Sequence, residues 1–256
     1  MKQDPRAWYA KIDEYLGKIG FQRSESNDTL YFRMQDKHFV IIVLYVDDLI
    51  IYAINEDHIK QFKGELQAGF KMTYLGTLHY YLRDKFTQRP NNIFLSQTKY
   101  GTDLLNKFGM EECKPSLTPM EQNLKLSKFE GGDLVDGTKY RQLIGSLIYL
   151  TNTRPDLSYS VSILSRFMQE PRESHWNSAK RVLRYIQGTK DFGFLYKKCK
   201  DFTLVGYSDA DFAGDIDNRT STFGYLMNLG SATISWSCKK QPTVANSSTE
   251  VEYMSS

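Results

Sequence analysis

Apolar side chains recur at three- and four-residue steps in some windows of the chain and alternate or cluster in others, a pattern that predicts a mixture of helices and strands. Trp8, Ile12, Tyr15, Leu16 and Ile19 form a first helical stripe, with Gly20 placed as its stop. After the turn-rich SESND, residues 30–33 and 38–53 are dominated by β-branched and aromatic side chains. The runs FVIIVLYV and LIIYA read as two strands, with Asp47 and Asp48 at the hairpin tip between them. Asn55 opens the next helix, whose stripe is Ile59, Phe62, Leu66 and Phe70. LHYYL and NIFLS read as short strands on either side of a polar turn at QRPNN, and 98–108 returns to helix before Gly109.

Residues 111–137 hold KPSLTP, two adjacent glycines and scattered charges, which predicts a loop or linker and a domain boundary. Three helical stripes follow. The first covers 140–150; Leu157, Val161, Leu164 and Met168 make the second, and Trp176, Ala179, Leu183 and Ile186 the third. From Phe202 onward FTLVGYS, TFGYLMNLG and ATISWSC read as strands separated by polar or glycine turns. The fold class is therefore α+β.

Composition narrows the function classes. At 41% hydrophobic and 14% aromatic residues, the 256-residue chain can bury real cores, which excludes wholesale disorder. Its longest apolar stretch, 39–54, is interrupted by Asp47 and Asp48 and falls short of the ~20 residues that cross a bilayer. Three dispersed cysteines without a C-x-x-C pair exclude a disulfide framework or structural zinc site and point to a reducing compartment. The first twenty residues read as an amphipathic helix rather than a secretory signal, so a cytoplasmic or nuclear location is expected. His38, His58, His79 and His175 fit no metal spacing and are assigned structural or surface roles. A formal net charge of +3 gives weak support to an anionic partner.

Adjacent carboxylates in an extended strand point to opposite faces, but at a hairpin tip both can approach one cation. Asp47 and Asp48 would sit so on a partly buried platform between apolar strands, where a divalent ion relieves their mutual repulsion. An acidic turn needs no metal, and Asp is a common turn residue. The string YVDD between two apolar strands shifts the balance, because it resembles the catalytic hairpin of reverse transcriptases. KQDPRAWY upstream and LGTLHYYL, IFLSQTKY, LLNKFGM and CKPSLTPM downstream resemble the Pol polyprotein of copia-type long-terminal-repeat retrotransposons, and YRQLIGSLIYLTNTRPDLSYSVSILSRFM and HWNSAKRVLRYIQGT continue the likeness.

The resemblance implies an RNA-directed DNA polymerase that uses Mg²⁺ (or Mn²⁺), a template–primer duplex and deoxynucleotides. By position, Asp47 and Asp48 match the metal-binding pair, Tyr45 and Val46 residues packed near the primer end, and Lys2, Gln3 and Arg6 a segment near template and nucleotide. It further implies a partial palm at 1–96, a mainly helical thumb and connection at 97–200, and the start of a ribonuclease H-like domain at 201–256. There GYSDADFAGD and SSTEVEYM place Asp209 and Glu252 as metal ligands, with Glu250 a weaker candidate and Asp211 and Asp215 as readily turn residues.

Lys180, Arg181 and Arg184 lie together on one helix, as a phosphate-contacting face or a solvated one, with Lys239 and Lys240 a possible second basic contact. Each metal cluster is expected to lack one carboxylate, leaving the isolated chain with little or no activity. Where relatives usually read FLGIEV this chain has YLRDKF at 81–86, which would put Arg83, Asp84 and Lys85 into a packed strand. That departure, with Asp4, Phe223 and Val251, suggests a decayed or truncated copy, and a non-catalytic nucleic-acid-binding remnant is the rival reading.

Overall fold

The structure, a computed structural model, describes residues 5–35, 37–129 and 131–255. Two compact units divide it, Met1–Leu78 and His79–Ser256. In the first, helices α1 (Pro5–Lys18) and α2 (Glu56–Gly69) pack on an antiparallel sheet of β1 (Gln22–Arg23), β2 (Leu30–Gln35), β3 (His38–Tyr45) and β4 (Asp48–Ala53), in the order β1-β2-β3-β4. Asn55 caps α2, its side chain accepting the Asp57 N–H. Alternation in β3 sends Val40, Ile42 and Leu44 into the core with Ile12, Leu16, Phe62 and Leu66. Burying each such side chain contributes about 1.5–3 kcal/mol. Arg33 lies opposite Val40, held by Glu65 at 2.9 Å, by the Ile19 carbonyl at 2.8 Å and over the Phe21 ring.

The second unit is built around four helices. These are α3 (Thr98–Lys107), α4 (Gly137–Leu150), α5 (Ser158–Ser165) and α6 (Glu173–Gly188), with a 3₁₀ turn at Pro155–Leu157. Their apolar stripes form one core that includes Leu104, Leu147, Leu164, Leu183 and Ile186. One sheet holds β5 (Tyr80–Tyr81), β6 (Asp84–Arg89), β7 (Asn92–Ser96) and β8 (Gly193–Lys197) in that order. Gly193 is required there, because a Cβ would stand 2.2 Å from the Leu95 carbonyl oxygen. A second sheet, β11-β10-β9, comprises β9 (Leu204–Ala210), β10 (Thr222–Leu229) and β11 (Ala232–Lys240), with α7 (Ser248–Ser255) against β9 and β10.

Three features differ from the sequence expectation. Strand β8 carries no strong strand signal of its own and forms by pairing with the distant β7. Residues 111–129 and 131–136 lack regular helix or strand but do not separate units: they form a strap along α6. Arg184 bonds the Lys114 carbonyl at 2.9 Å, Ser116 N–H donates to the Arg184 carbonyl, and Gln187 bonds the Glu111 carbonyl.

YLRDKF, finally, is not a continuous strand. Tyr81 pairs with Asp84, and Leu82 and Arg83 turn between them at φ 48° and 68°. Arg83 and Lys85 are exposed, and only Asp84 is half-buried; burial pushes its carboxyl up to about 6 against an opposing Gln97 hydrogen bond. The family's usual glycine falls on Arg83, in the left-handed region that costs an L residue about 1–2 kcal/mol. Against this, the guanidinium gains about 0.5–1 kcal/mol over the Tyr100 ring, 5.1 Å away. Arg83→Gly is therefore expected to raise the melting temperature by roughly 2–4 °C. Arg83→Ala, which keeps the strain and loses the ring contact, should lower it; the reverse order in a thermal melt would reject the strained-turn explanation.

Candidate active site

The hairpin tip is set by β3 and β4, whose register ends with Tyr45 opposite Asp48. Val46 and Asp47 make a two-residue turn, and Val46 has φ 51°. Tight hairpins prefer glycine where the first central residue has positive φ. A β-branched residue held there costs on the order of 1–3 kcal/mol, and such strain clusters at functional sites. Asp48 shares the sheet face of Tyr45, Ile50 and Tyr52, opposite to the face of Leu44, Leu49 and Ile51 that meets α1 and α2. Both aspartates are exposed, not partly buried as expected, because the turn carries them past the last core-facing residues. Two neighbouring carboxylates with hard oxygen donors suit Mg²⁺, which completes its shell with phosphates and water. Among the described residues no group of three or more acidic, histidine or cysteine side chains is placed to hold a metal.

Tyr45 and Val46 flank the aspartates and are exposed. Arg6 lies on the exposed side of α1, whereas Lys2 and Gln3 fall outside the described residues.

Asp209 is exposed on the edge strand β9, and its Oδ1 accepts the Ala210 N–H. Glu252 is exposed on α7. Glu250 closes the start of α7, its Oε2 accepting the Asn246 N–H at 2.7 Å while the Ser247 hydroxyl accepts the Glu250 N–H. Asp211 accepts the Thr222 N–H at 2.6 Å. Asp215 receives Lys240 at 2.6 Å and Arg166 at 3.4 Å, together with the N–H groups of Asp217 and Asn218. Burial opposes its ionisation, but Lys240 and the two N–H donors outweigh that and hold the carboxyl below its ordinary range. Both Asp211 and Asp215 thus have structural roles.

The basic helix is also engaged. Arg181 pairs with Glu121 at 2.9 Å and bonds Thr118 at 3.1 Å, Arg184 holds the strap, and Lys180 lies over the Trp176 ring. Lys240 is committed to Asp215 and Asn218. Sequence reading missed the uses of Arg181 and Arg184 because their partners lie some sixty to seventy positions away on the strap.

The reverse transcriptase (RNA-dependent DNA polymerase) family profile matches residues 1–122, which include the hairpin. Over 255 residues the chain is 44% identical to the retrovirus-related Pol polyprotein from transposon RE2 of Arabidopsis thaliana, covering 100% of this chain and 18% of that protein. The chain belongs to the copia-type retrotransposon Pol family. The Pol polyprotein from transposon TNT 1-94 of Nicotiana tabacum is 38% identical over 99% of this chain and 20% of its own length. The putative transposon Ty5-1 protein of Saccharomyces cerevisiae is 36% identical over 99% of this chain and 83% of its own length. No solved structure gives a significant match. The mixed α/β fold agrees with a reverse transcriptase portion of Pol, and no described helix is long and apolar enough to cross a membrane.

Proposed function

We propose that the hairpin at Asp47 and Asp48 is the metal-binding tip of an RNA-directed DNA polymerase palm, which adds deoxynucleotides to a primer 3′ end on a template. The observation that carries this reading is the pair of adjacent carboxylates on a two-residue turn between apolar strands, inside the segment that matches the reverse transcriptase family. The strands fix the turn through the core beneath Leu44 and Leu49, and the turn offers oxygen ligands beside Tyr45, a flat ring suited to the primer end. A bound Mg²⁺ would supply activation of the primer hydroxyl and charge neutralisation on the nucleotide phosphates. Residues 1–96 then serve as palm and 97–200 as thumb and connection. In 201–256, Asp209 and Glu252 are proposed as metal ligands of a ribonuclease H-like domain.

Template-dependent extension of a DNA primer on RNA tests the proposal. The chain alone is expected to extend at or near background. Joined to the part of a relative's Pol polyprotein that precedes this segment, the chain is expected to extend the primer, and Asp47→Asn to abolish the extension. Extension indifferent to Asp47→Asn would reject the assignment.

A further inference from the structure

Thr118 is the one serine or threonine of the chain that a proline follows. It lies exposed on the strap, in a stretch with neither helix nor strand, next to the almost fully exposed Leu117. Pro119 has no N–H and turns the residue before it away from helix, so this stretch stays out of helix and ladder and is open to an enzyme cleft. The Thr118 hydroxyl is uncommitted as a donor: Oγ1 accepts from Arg181 Nη2 at 3.1 Å and, among the described residues, donates to nothing. Ser116, the nearest alternative, spends its hydroxyl on the Thr118 carbonyl at 3.0 Å.

Behind the hydroxyl stands a cationic helix face with donors to spare. Arg181 faces the strap from α6, pairs with Glu121 at 2.9 Å and keeps a buried Nε without a partner. Arg184 lies one helical turn on, and among the described residues it holds the strap through Nε alone, at the Lys114 carbonyl 2.9 Å away. Its two terminal nitrogens remain available. Among the described residues Glu121 is the one carboxylate in salt-bridge contact with either guanidinium, and its side chain is 60% exposed, so it turns to water at little cost.

We propose that Thr118 is a phosphorylation site for a proline-directed protein kinase, and that Arg181 and Arg184 receive the phosphate and clamp the strap to α6. The γ-phosphoryl group of ATP passes to Thr118 Oγ1, the bond to the departing ADP oxygen breaks, and the hydroxyl proton goes to the kinase's catalytic base. The phosphate places roughly two negative charges and three acceptor oxygens against guanidinium forks that match it in bidentate fashion. Arg181 thereby exchanges an exposed carboxylate for a more highly charged acceptor on the same strap. The inference goes beyond the polymerase reading, because neither the hairpin aspartates nor a metal held by this chain takes part.

The test incubates the folded full chain, below its melting temperature, with Mg-ATP and a purified mitogen-activated protein kinase, beside a control peptide that carries Thr-Pro. Peptide mapping is expected to place the phosphate on Thr118, with incorporation lost in Thr118→Ala and also in Pro119→Ala, which keeps the acceptor hydroxyl. The phosphorylated chain should melt roughly 2–5 °C above the unmodified one. In ³¹P NMR its phosphothreonine should ionise at lower pH than in the free phosphopeptide of the same local sequence, and Arg181→Gln should shrink that difference. No incorporation at Thr118 while the control peptide is labelled, a melting temperature unchanged or lowered by the phosphate, or an ionisation identical to that of the free phosphopeptide would each overturn the proposal.

Discussion

Replacing His175 with alanine is expected to destabilise the second unit by about 3–5 kcal/mol, the range for deleting a large buried ring. His175 is fully buried at the third position of α6 and stacks on Phe167, with centroids 3.9 Å apart and planes at 13°. Its Nδ1 accepts the Arg172 N–H at 3.0 Å, so the neutral ring carries its proton on Nε2 and donates to the Ser127 carbonyl at 3.1 Å. One side chain thus closes the start of α6 and fastens the strap to it. The alanine variant loses the stack and leaves two backbone groups without these partners, and a fall in melting temperature of roughly 10 °C is expected. His175→Phe keeps most of the volume and loses only the hydrogen bonds, so it should recover about half of the loss. If phenylalanine is as damaging as alanine, polar satisfaction dominates and the stack contributes little.

Asp215→Asn is expected to cost about 2–3 kcal/mol at pH 7, since it leaves the largely buried Arg166 facing Lys240 without a counter-charge. The carboxyl's pKa is lowered on folding from its ordinary 3.8, so its contribution is present above about pH 4 and fades as pH falls through the folded value. The wild-type and Asp215→Asn melting temperatures should therefore differ by roughly 5–8 °C at neutral pH and converge in acid. A constant difference from pH 7 to pH 2 would show that hydrogen bonding rather than charge sets the effect.

Legibility in the sequence follows the range of the interactions. Helix α6 and strands β10 and β11 are readable because 3.6- and 2-residue periods are local properties. The Asp47–Asp48 tip is readable for the same reason, being an interruption of one apolar run. Strand β8 is hidden because its partner β7 lies about a hundred residues earlier, and Gly193, which that pairing requires, looks in sequence like a breaker. The Leu82–Arg83 turn is hidden because neither residue type favours positive φ. Arg181 and Arg184 were identifiable as basic but not as fasteners of the strap, since an ion pair depends on which distant segment folds alongside. The aspartates' exposure was also missed: apolar flanks on both sides of a tip do not reveal that the core stops short of it.

The measurement that bears most directly on the polymerase reading is metal-directed backbone cleavage, with Fe²⁺ replacing Mg²⁺ in the presence of ascorbate, peroxide, template–primer and deoxynucleotide. Cuts are expected within residues 45–49, quenched by excess Mg²⁺ and missing from the Asp47→Asn, Asp48→Asn double variant. Cuts confined to other segments, or the same cuts persisting in the double variant, would contradict the assignment of these two aspartates as the metal-binding pair.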